Sequence, residues 1–187
     1  MKRLRSAVVV LSLVGLVLAI SCLEGRCGEP TQPGARIDWL TDYTEALERA
    51  ETEGRMMFIF FYQPGVNRLR DHFEANGLAD PRVREKLRDY VCVRLSTDSS
   101  IRIQGKRVRL LDHEAFAGMK GNQGIAILDL RSRQAEYYGC VVSTFPFDEE
   151  YCYSARQMAI IVDLRPGRPE QRWAEFVARI RSAPERG

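Results

Sequence analysis

Five cysteines, at positions 22, 27, 92, 140 and 152, supply the most reactive side chains of this 187-residue sequence. Cys140 and Cys152 flank the segment Ser143–Phe147, and an unstrained disulfide between them would contribute about 3 kcal/mol. The alternative is a displaced redox pair, but a pair in a Phe- and Pro-rich loop lacks the helix N-terminus that activates a thiol. The spacing therefore favours a structural disulfide, or two unpaired thiols, over redox chemistry.

Other combinations that carry chemistry are absent from the sequence. The two histidines, His72 and His113, do not have the spacing of paired metal ligands. The acidic run 148–150 lacks the spacing of a calcium loop. No G-x-S-x-G nucleophile motif and no glycine-rich phosphate loop occurs. We therefore expect no metal site, no cofactor and no hydrolase centre.

The charge distribution argues against a nucleic-acid-binding protein. The formal net charge is +3, and three cations, Lys2, Arg3 and Arg5, lie at the N-terminus. The rest of the chain is formally neutral, which does not favour binding to a polyanion. A local basic group, Arg102 to Arg109, is typical of a solvated strand edge, with an anionic partner as the alternative.

Residues 1–21 have the pattern of a secretory signal peptide. A basic start is followed by the apolar run Ala7–Ile20, with small residues Ala19 and Ser21 before the expected cleavage site. The run is shorter than the roughly 18–20 apolar residues that a membrane span needs. We therefore expect export to the periplasm or cell envelope.

Cys22 directly follows the expected cleavage site. The tetrad Ala19-Ile20-Ser21-Cys22 resembles a bacterial lipobox, although leucine is usual where Ala19 stands. Lipid on Cys22 would attach the protein to a membrane, and ordinary cleavage at the same bond is the alternative. Residues 22–36 are rich in glycine and proline and predict a flexible tether.

Hydrophobic periodicity divides the rest of the chain into helices and strands. The apolar run Met56–Tyr62 predicts a strand buried on both faces, and Cys92 lies in a second such run as a small buried side chain. Asp80-Pro81 and a capping box at Ser154 predict helix starts. The predicted helices are 38–55, 66–77, 81–90, 112–119, 154–164 and 169–183, and the predicted strands are 56–62, 90–95, 101–103, 108–110, 125–130 and 135–142.

This order of elements resembles the thioredoxin-like fold of secreted bacterial proteins. The stretch Trp39–Phe61 is similar to the entry of such domains, Val91–Leu95 to the strand after the long helix, and Gly124–Asp129 to a strand that ends in aspartate before a turn. The resemblance implies an α/β domain at 37–165, with a central mixed sheet flanked by helices and an extra hairpin. An extra C-terminal helix and tail would occupy 166–187.

The positions that carry thiol chemistry in that family hold other residues here. Active thioredoxins have a Cys-x-x-Cys motif after the first buried strand, and the corresponding positions are Gln63-Pro64-Gly65-Val66. The family's cis-proline corresponds to the region of Gln123 and Gly124, where a trans bond is expected. Neither Gln63 nor Val66 can form a thiolate, so the resemblance implies a domain without redox activity.

The resemblance implies a protein-binding or scaffolding function at the cell envelope. In active relatives the groove beside the redox motif accepts extended peptides, so we expect peptide binding without chemistry near Gln63 and Gln123. The alternative is a divergent thiol-disulfide oxidoreductase that uses Cys140 and Cys152. A third hypothesis is a structural envelope protein whose last helix, through the stripe of Trp173, docks a partner.

Overall fold

The computed structural model of the protein describes residues 36–134, 136–165 and 167–182. The predicted signal peptide (1–21), the candidate lipidation site Cys22 and nearly all of the predicted tether lie outside the described residues. In the part that is described, no helix has both the length and the apolar composition needed to cross a membrane. The described elements belong to one compact unit, residues 32–187.

The described strands form a five-stranded mixed sheet and a separate hairpin. The strands are β1 (Trp39–Leu40), β2 (Met56–Tyr62), β3 (Tyr90–Ser96), β4 (Ser100–Ile103), β5 (Lys106–Arg109), β6 (Gly124–Leu128) and β7 (Val141–Pro146). The order in the sheet is β1-β3-β2-β6-β7, in which β1, β3 and β2 are parallel, and β6 and β7 are each antiparallel to the preceding neighbour. The predicted α/β architecture, with a central mixed sheet, is confirmed.

Helices cover both faces of the sheet. The helices are α1 (Tyr43–Glu53), α2 (Arg68–His72), α3 (Pro81–Leu87), α4 (Ala155–Ile161) and α5 (Pro169–Ser182), with a π-helical turn at Phe73–Gly77 and two 3-10 helices at Leu110–Asp112 and Glu114–Met119. One face is covered by α3, α4, α5 and the π-helical turn, and the other by α1 and the two 3-10 helices. The capping box predicted at Ser154 is present, and Asp80 caps α3 as predicted.

The central strand β2 is buried on both faces, as its unbroken apolar run predicts. It pairs with β3 on one edge and β6 on the other. Phe58 and Phe60 belong to the core under α3, α4 and α5, whereas Ile59 and Phe61 belong to the core under α1. Each of these side chains is fully buried, and full burial of such a side chain contributes about 1.5–3 kcal/mol.

The first helix begins later than predicted. The apolar periodicity places its start at Asp38, but the side chain of Asp42 accepts a hydrogen bond from the Glu45 amide and caps a helix that begins at Tyr43. The preceding residues form β1 because Trp39 pairs with β3 and its ring packs against Phe58. The cross-strand pairing thus outweighs a helical spacing that Trp39 and Leu40 also satisfy.

The last strand is displaced from its predicted position. The strand expected at 135–142 is β7, Val141–Pro146, and most of 131–140 forms a turn. Two hydrogen bonds close that turn, from Gly139 N to Asp129 O (2.8 Å) and from Asp129 N to Cys140 O (3.1 Å). Pro146 is tolerated because β7 is the outermost strand and proline lies at its end.

A buried carboxylate anchors the start of this turn. Asp129 is fully buried, and its two oxygens accept hydrogen bonds from Nε (3.1 Å) and Nη2 (3.0 Å) of Arg131. Burial acts to raise the pKa of Asp129, but the hydrogen bonds from Arg131 outweigh it and hold that pKa below its usual value. Asp129 therefore stays ionised. It occupies the position at which the sequence predicts a strand that ends in aspartate before a turn.

Helix α5 packs on β7 through aromatic rings. The ring of Phe176 lies 5.3 Å from that of Phe145, and Trp173 covers the same ring while 48% of its own surface stays exposed. Arg172 of this helix is also buried, at 1% exposure, and its three side-chain nitrogens have no hydrogen-bond partner among the described residues. Burial accordingly lowers the pKa of its guanidinium.

The burial of Arg172 predicts that an apolar residue of similar length stabilises the protein. We expect Arg172→Met to raise the free energy of unfolding by about 1–3 kcal/mol, because a buried guanidinium without a hydrogen-bond partner among the described residues carries a desolvation penalty. Urea unfolding followed by circular dichroism measures this change. Arg179 is a more exposed arginine of the same helix and forms an ion pair with Asp163, which precedes the helix. Arg179→Met should instead cost about 1 kcal/mol or less. Destabilisation by Arg172→Met would contradict the assignment.

Candidate functional site

A groove lies at the end of the sheet where β2 and β3 end. Four chain segments meet there: Gln63 follows β2, Thr97 follows β3, Gln123 precedes β6, and Phe147 follows β7. These segments enclose an open cavity of about 510 Å³. Because the carboxyl ends of parallel strands share one edge of a sheet, residues distant in sequence converge at this position.

Two carboxamide residues, Gln63 and Gln123, line the groove, and a third, Asn67, is bonded to Gln123. Oε1 of Gln123 accepts a hydrogen bond from Nδ2 of Asn67 (3.0 Å) and a long one from the main-chain N–H of Gln63 (3.5 Å). The main-chain oxygen of Gln123 accepts from the Phe147 amide (2.8 Å). The structure therefore brings together Gln63 and Gln123, which the sequence analysis assigned to one groove.

Asn67 completes this cluster, and the sequence analysis did not identify it. Its Oδ1 accepts a hydrogen bond from the Arg70 amide (2.9 Å) and caps α2, while its Nδ2 holds Gln123. An asparagine immediately before a helical pattern is a recognisable capping signal. The contact with Gln123, 56 residues away in the chain, has no signal in the sequence.

The turn from β2 to α2 leaves Val66 fully outside the helix. The predicted helix 66–77 includes Val66, but this residue is 98% exposed and α2 begins only after Asn67. Gly65 precedes it at φ +87°, a conformation that suits glycine. An apolar side chain consequently projects into solvent three residues after Gln63, which lines the groove.

Gly124 marks a close approach of β6 to β7. Its φ is +142°, and a Cβ placed there would lie 2.4 Å from the carbonyl oxygen of Phe145. Within the described ranges every peptide bond is trans. Glycine is therefore required where β6 begins, directly after Gln123.

The groove carries negative charge. Asp98, Asp148 and Glu149 line it, together with one cation, Arg109. Arg109 is already paired with Asp112 at 2.6 Å, and this partner raises the pKa of the guanidinium. Three carboxylates against one ion-paired guanidinium therefore set the electrostatic character of the groove, which favours neutral or basic ligands over anions.

The expected disulfide between Cys140 and Cys152 is not formed in the structure. The three cysteines within the described ranges are all free thiols. Cys140 directly precedes β7, whereas Cys152 follows its far end and lies beside Arg68 of α2. A six-residue strand spans roughly 20 Å, and a disulfide needs Cα atoms within about 7 Å. The strand replaces the short loop that the sequence suggested.

Neither Cys152 nor Cys92 has the environment of a nucleophile. Burial raises the pKa of Cys152, although α4 begins close by, after Ser154. Burial also raises the pKa of Cys92 to about 12, so this thiol stays protonated in the core. A thiolate is the reactive form of cysteine, and neither environment favours it.

The groove residues can bind a ligand through hydrogen bonds. The side chains of Gln63, Asn67 and Gln123 donate and accept hydrogen bonds but do not ionise near neutral pH. In the described part of the chain, no three His, Cys, Asp or Glu side chains are clustered as metal ligands would be.

Comparison with protein-family models, curated proteins and solved structures finds no match to this chain.

The close approach at Gly124 predicts that alanine destabilises the protein more at this glycine than at Gly65. We expect Gly124→Ala to cost at least about 3 kcal/mol, because the new methyl group collides with the β7 backbone in a strained conformation. Gly65→Ala is the matched control, since its φ is also positive but nothing lies within 4 Å of the added Cβ; it should cost about 1–2 kcal/mol. Equal losses in urea unfolding would contradict the assigned contact.

The environments of the cysteines predict an order of thiol reactivity. In a Cys22→Ser, Cys27→Ser variant, we expect an aromatic disulfide reagent to label exposed Cys140 first, half-buried Cys152 more slowly, and Cys92 only on unfolding. Peptide mass spectrometry at successive times gives the order. Fewer than three reactive thiols in denaturant would show that a disulfide forms, and rapid native labelling of Cys92 would contradict its burial.

Proposed function

We propose that this protein is an exported thioredoxin-like domain without redox activity, which binds an extended segment of a partner protein in the groove at the end of β2. One observation carries the proposal. Where the resemblance places a thiol pair, the chain has Gln63 and a fully exposed Val66, and the main-chain N–H of Gln63 contacts the Gln123 carboxamide that Asn67 holds.

The order of the elements supports the thioredoxin-like part of the proposal. A helix, the buried strand β2, a turn, two helices and β3 are followed by the adjacent strands β6 and β7 and by α4. The hairpin β4–β5 and the 3-10 helices lie between β3 and β6, and α5 follows α4. The hairpin and α5 are the two additions that the sequence predicts.

Carboxamides suit the backbone of an extended peptide. Each peptide unit offers one N–H donor and one carbonyl acceptor, and a carboxamide side chain offers both partners. Oε1 of Gln123 is already occupied by Asn67 and Gln63, which fixes the orientation of its amide group and points to Nε2 as the donor toward a ligand. Main-chain hydrogen bonds of this kind give affinity without demanding one sequence.

The remaining features of the groove restrict the segment that it accepts. Val66, three residues after Gln63, offers an exposed apolar contact, which an aliphatic or aromatic side chain of the ligand would cover. The carboxylates of Asp98, Asp148 and Glu149 disfavour acidic segments. The preferred ligand is therefore an extended, neutral or basic segment with at least one apolar residue.

The location of the protein follows from the predicted leader. A signal peptide at 1–21 would export the chain, and a lipid on Cys22 would hold the domain at a membrane through the tether. The alternative of a divergent oxidoreductase has less support, because Cys140 precedes β7, Cys152 follows it, and both are free thiols in the described part of the chain. Binding at the cell envelope is the function that the groove favours.

The proposed binding predicts that Val66→Asp weakens peptide binding. Peptides selected on the wild-type protein from a random phage-displayed library, labelled with fluorescein, should bind the variant about tenfold more weakly in anisotropy titrations, because the apolar contact is lost. Gln134→Asp is the matched control, since it adds the same charge at an exposed turn beyond the other end of β6, and it should leave binding unchanged.

Two outcomes would contradict this function. One is a selection that enriches no peptide on the wild-type protein, or enriches peptides that Val66→Asp binds equally well. The other is thiol-dependent turnover of insulin disulfides by the wild-type protein, which would show redox chemistry despite the carboxamides at the end of β2.

A further inference from the structure

A second cavity, of about 180 Å³, lies at the opposite end of the sheet, where β1, β2 and β3 begin. Its charged lining consists of five guanidinium groups and one carboxylate, that of Asp38. The floor is formed by apolar side chains of β3 and α3, among them Cys92 and Leu87. The five arginines are Arg36, Arg49, Arg55, Arg84 and Arg88. We call this space the arginine cavity.

Contacts within the protein hold these guanidinium groups in place. Arg55 donates to the main-chain oxygens of Arg88 and Tyr90. Arg49 bridges Asp38 (3.2 Å) and Glu53 (2.8 Å), and these partners raise the pKa of Arg49. A positioned guanidinium loses less conformational entropy on binding than a mobile one.

The face of the cavity stays positive although several arginines are paired. Glu53 pairs with Arg49 and Arg55, and Glu85 pairs with Arg88 (3.0 Å), but neither carboxylate lines the cavity. The partners therefore lie behind the guanidinium groups and orient them. Five arginine residues line one small space, which suits a ligand of high charge density.

We propose that the arginine cavity binds a phosphate-type oxyanion. A phosphate group carries about −1.5 to −2 charges near neutral pH and offers three or more acceptor oxygens, which the planar forks of several arginines can share. A carboxylate carries one charge and two oxygens, and a single arginine satisfies it. The number of arginines that line the cavity therefore favours phosphate over carboxylate as its ligand.

A neighbouring cavity gives room for a larger phosphorylated molecule. It has a volume of about 370 Å³ and shares Arg36 and Arg84 with the arginine cavity. Its further walls are Trp39 and Arg94, and Arg94 is fixed by stacking over Tyr62 (4.8 Å) and by an ion pair with Glu74. The phosphate can therefore be free or the terminal group of a larger molecule, including a lipid headgroup.

The test is calorimetric titration of the full chain with sodium pyrophosphate, phosphate and acetate at about 20 mM ionic strength, where screening is weak. We expect pyrophosphate and phosphate to bind and acetate to bind at least tenfold more weakly. In an Arg36→Gln, Arg88→Gln variant, pyrophosphate binding should weaken about tenfold or more, which corresponds to roughly 1.4 kcal/mol or more.

The control variant removes the same charge at a different place. Arg102→Gln, Lys106→Gln changes two exposed cations of the β4–β5 hairpin, beyond the other end of β3, and should alter pyrophosphate affinity less than twofold. Circular dichroism establishes that each variant is folded, and single Arg36→Gln, at an exposed position, provides the measurement if the double variant does not fold.

Vesicle sedimentation distinguishes the source of the phosphate. Binding to phosphatidic acid vesicles, displaced by pyrophosphate and lost in the Arg36→Gln, Arg88→Gln variant, assigns the cavity to a lipid headgroup. Binding of pyrophosphate without vesicle binding assigns it to a soluble phosphate compound. The proposal is overturned if pyrophosphate does not bind, if acetate binds equally well, or if the hairpin control loses as much affinity as the cavity variant.

Discussion

The burial of β2 on both faces and both edges is the constraint on which the rest of the structure depends. Its side chains alternate between two cores, one under α3, α4 and α5 and one under α1, and its backbone pairs with β3 and β6. A strand held on four sides cannot shift its register by one residue without moving each row of side chains into the core on the opposite face, where it does not fit. Both ends of β2 are therefore positioned rigidly, and each proposed binding surface lies at one of them.

These two ends differ in chemistry because different residues flank the strand. At its carboxyl end, carboxamides and carboxylates line a groove of negative character, with Gln63 at the exit of the strand. At its amino end, Arg55 and four other arginines line a cavity of positive character. The two proposed surfaces therefore suit ligands of different charge.

The sequence predicts those parts of the fold that local physics determines. The apolar run of β2, the helix start at Asp80 and the capping box at Ser154 each depend on neighbouring residues, and each is confirmed. The displaced β7 and the strand pairing of Trp39 depend on distant partners, so local periodicity misplaced both. In the site, the approach of Gln63 to Gln123 followed from a resemblance, whereas the arginine cavity gathers positions from 36 to 92 and has no local pattern.

The most direct test of the central claim is a nuclear magnetic resonance titration of uniformly labelled protein with a selected peptide. The account predicts that the side-chain amide signals of Gln63, Asn67 and Gln123 shift together and saturate with the peptide, while the backbone signals of Arg55 and Cys92 at the other end of the sheet stay unchanged. Saturating shifts confined to residues outside the groove, with those three amides unmoved, would contradict it.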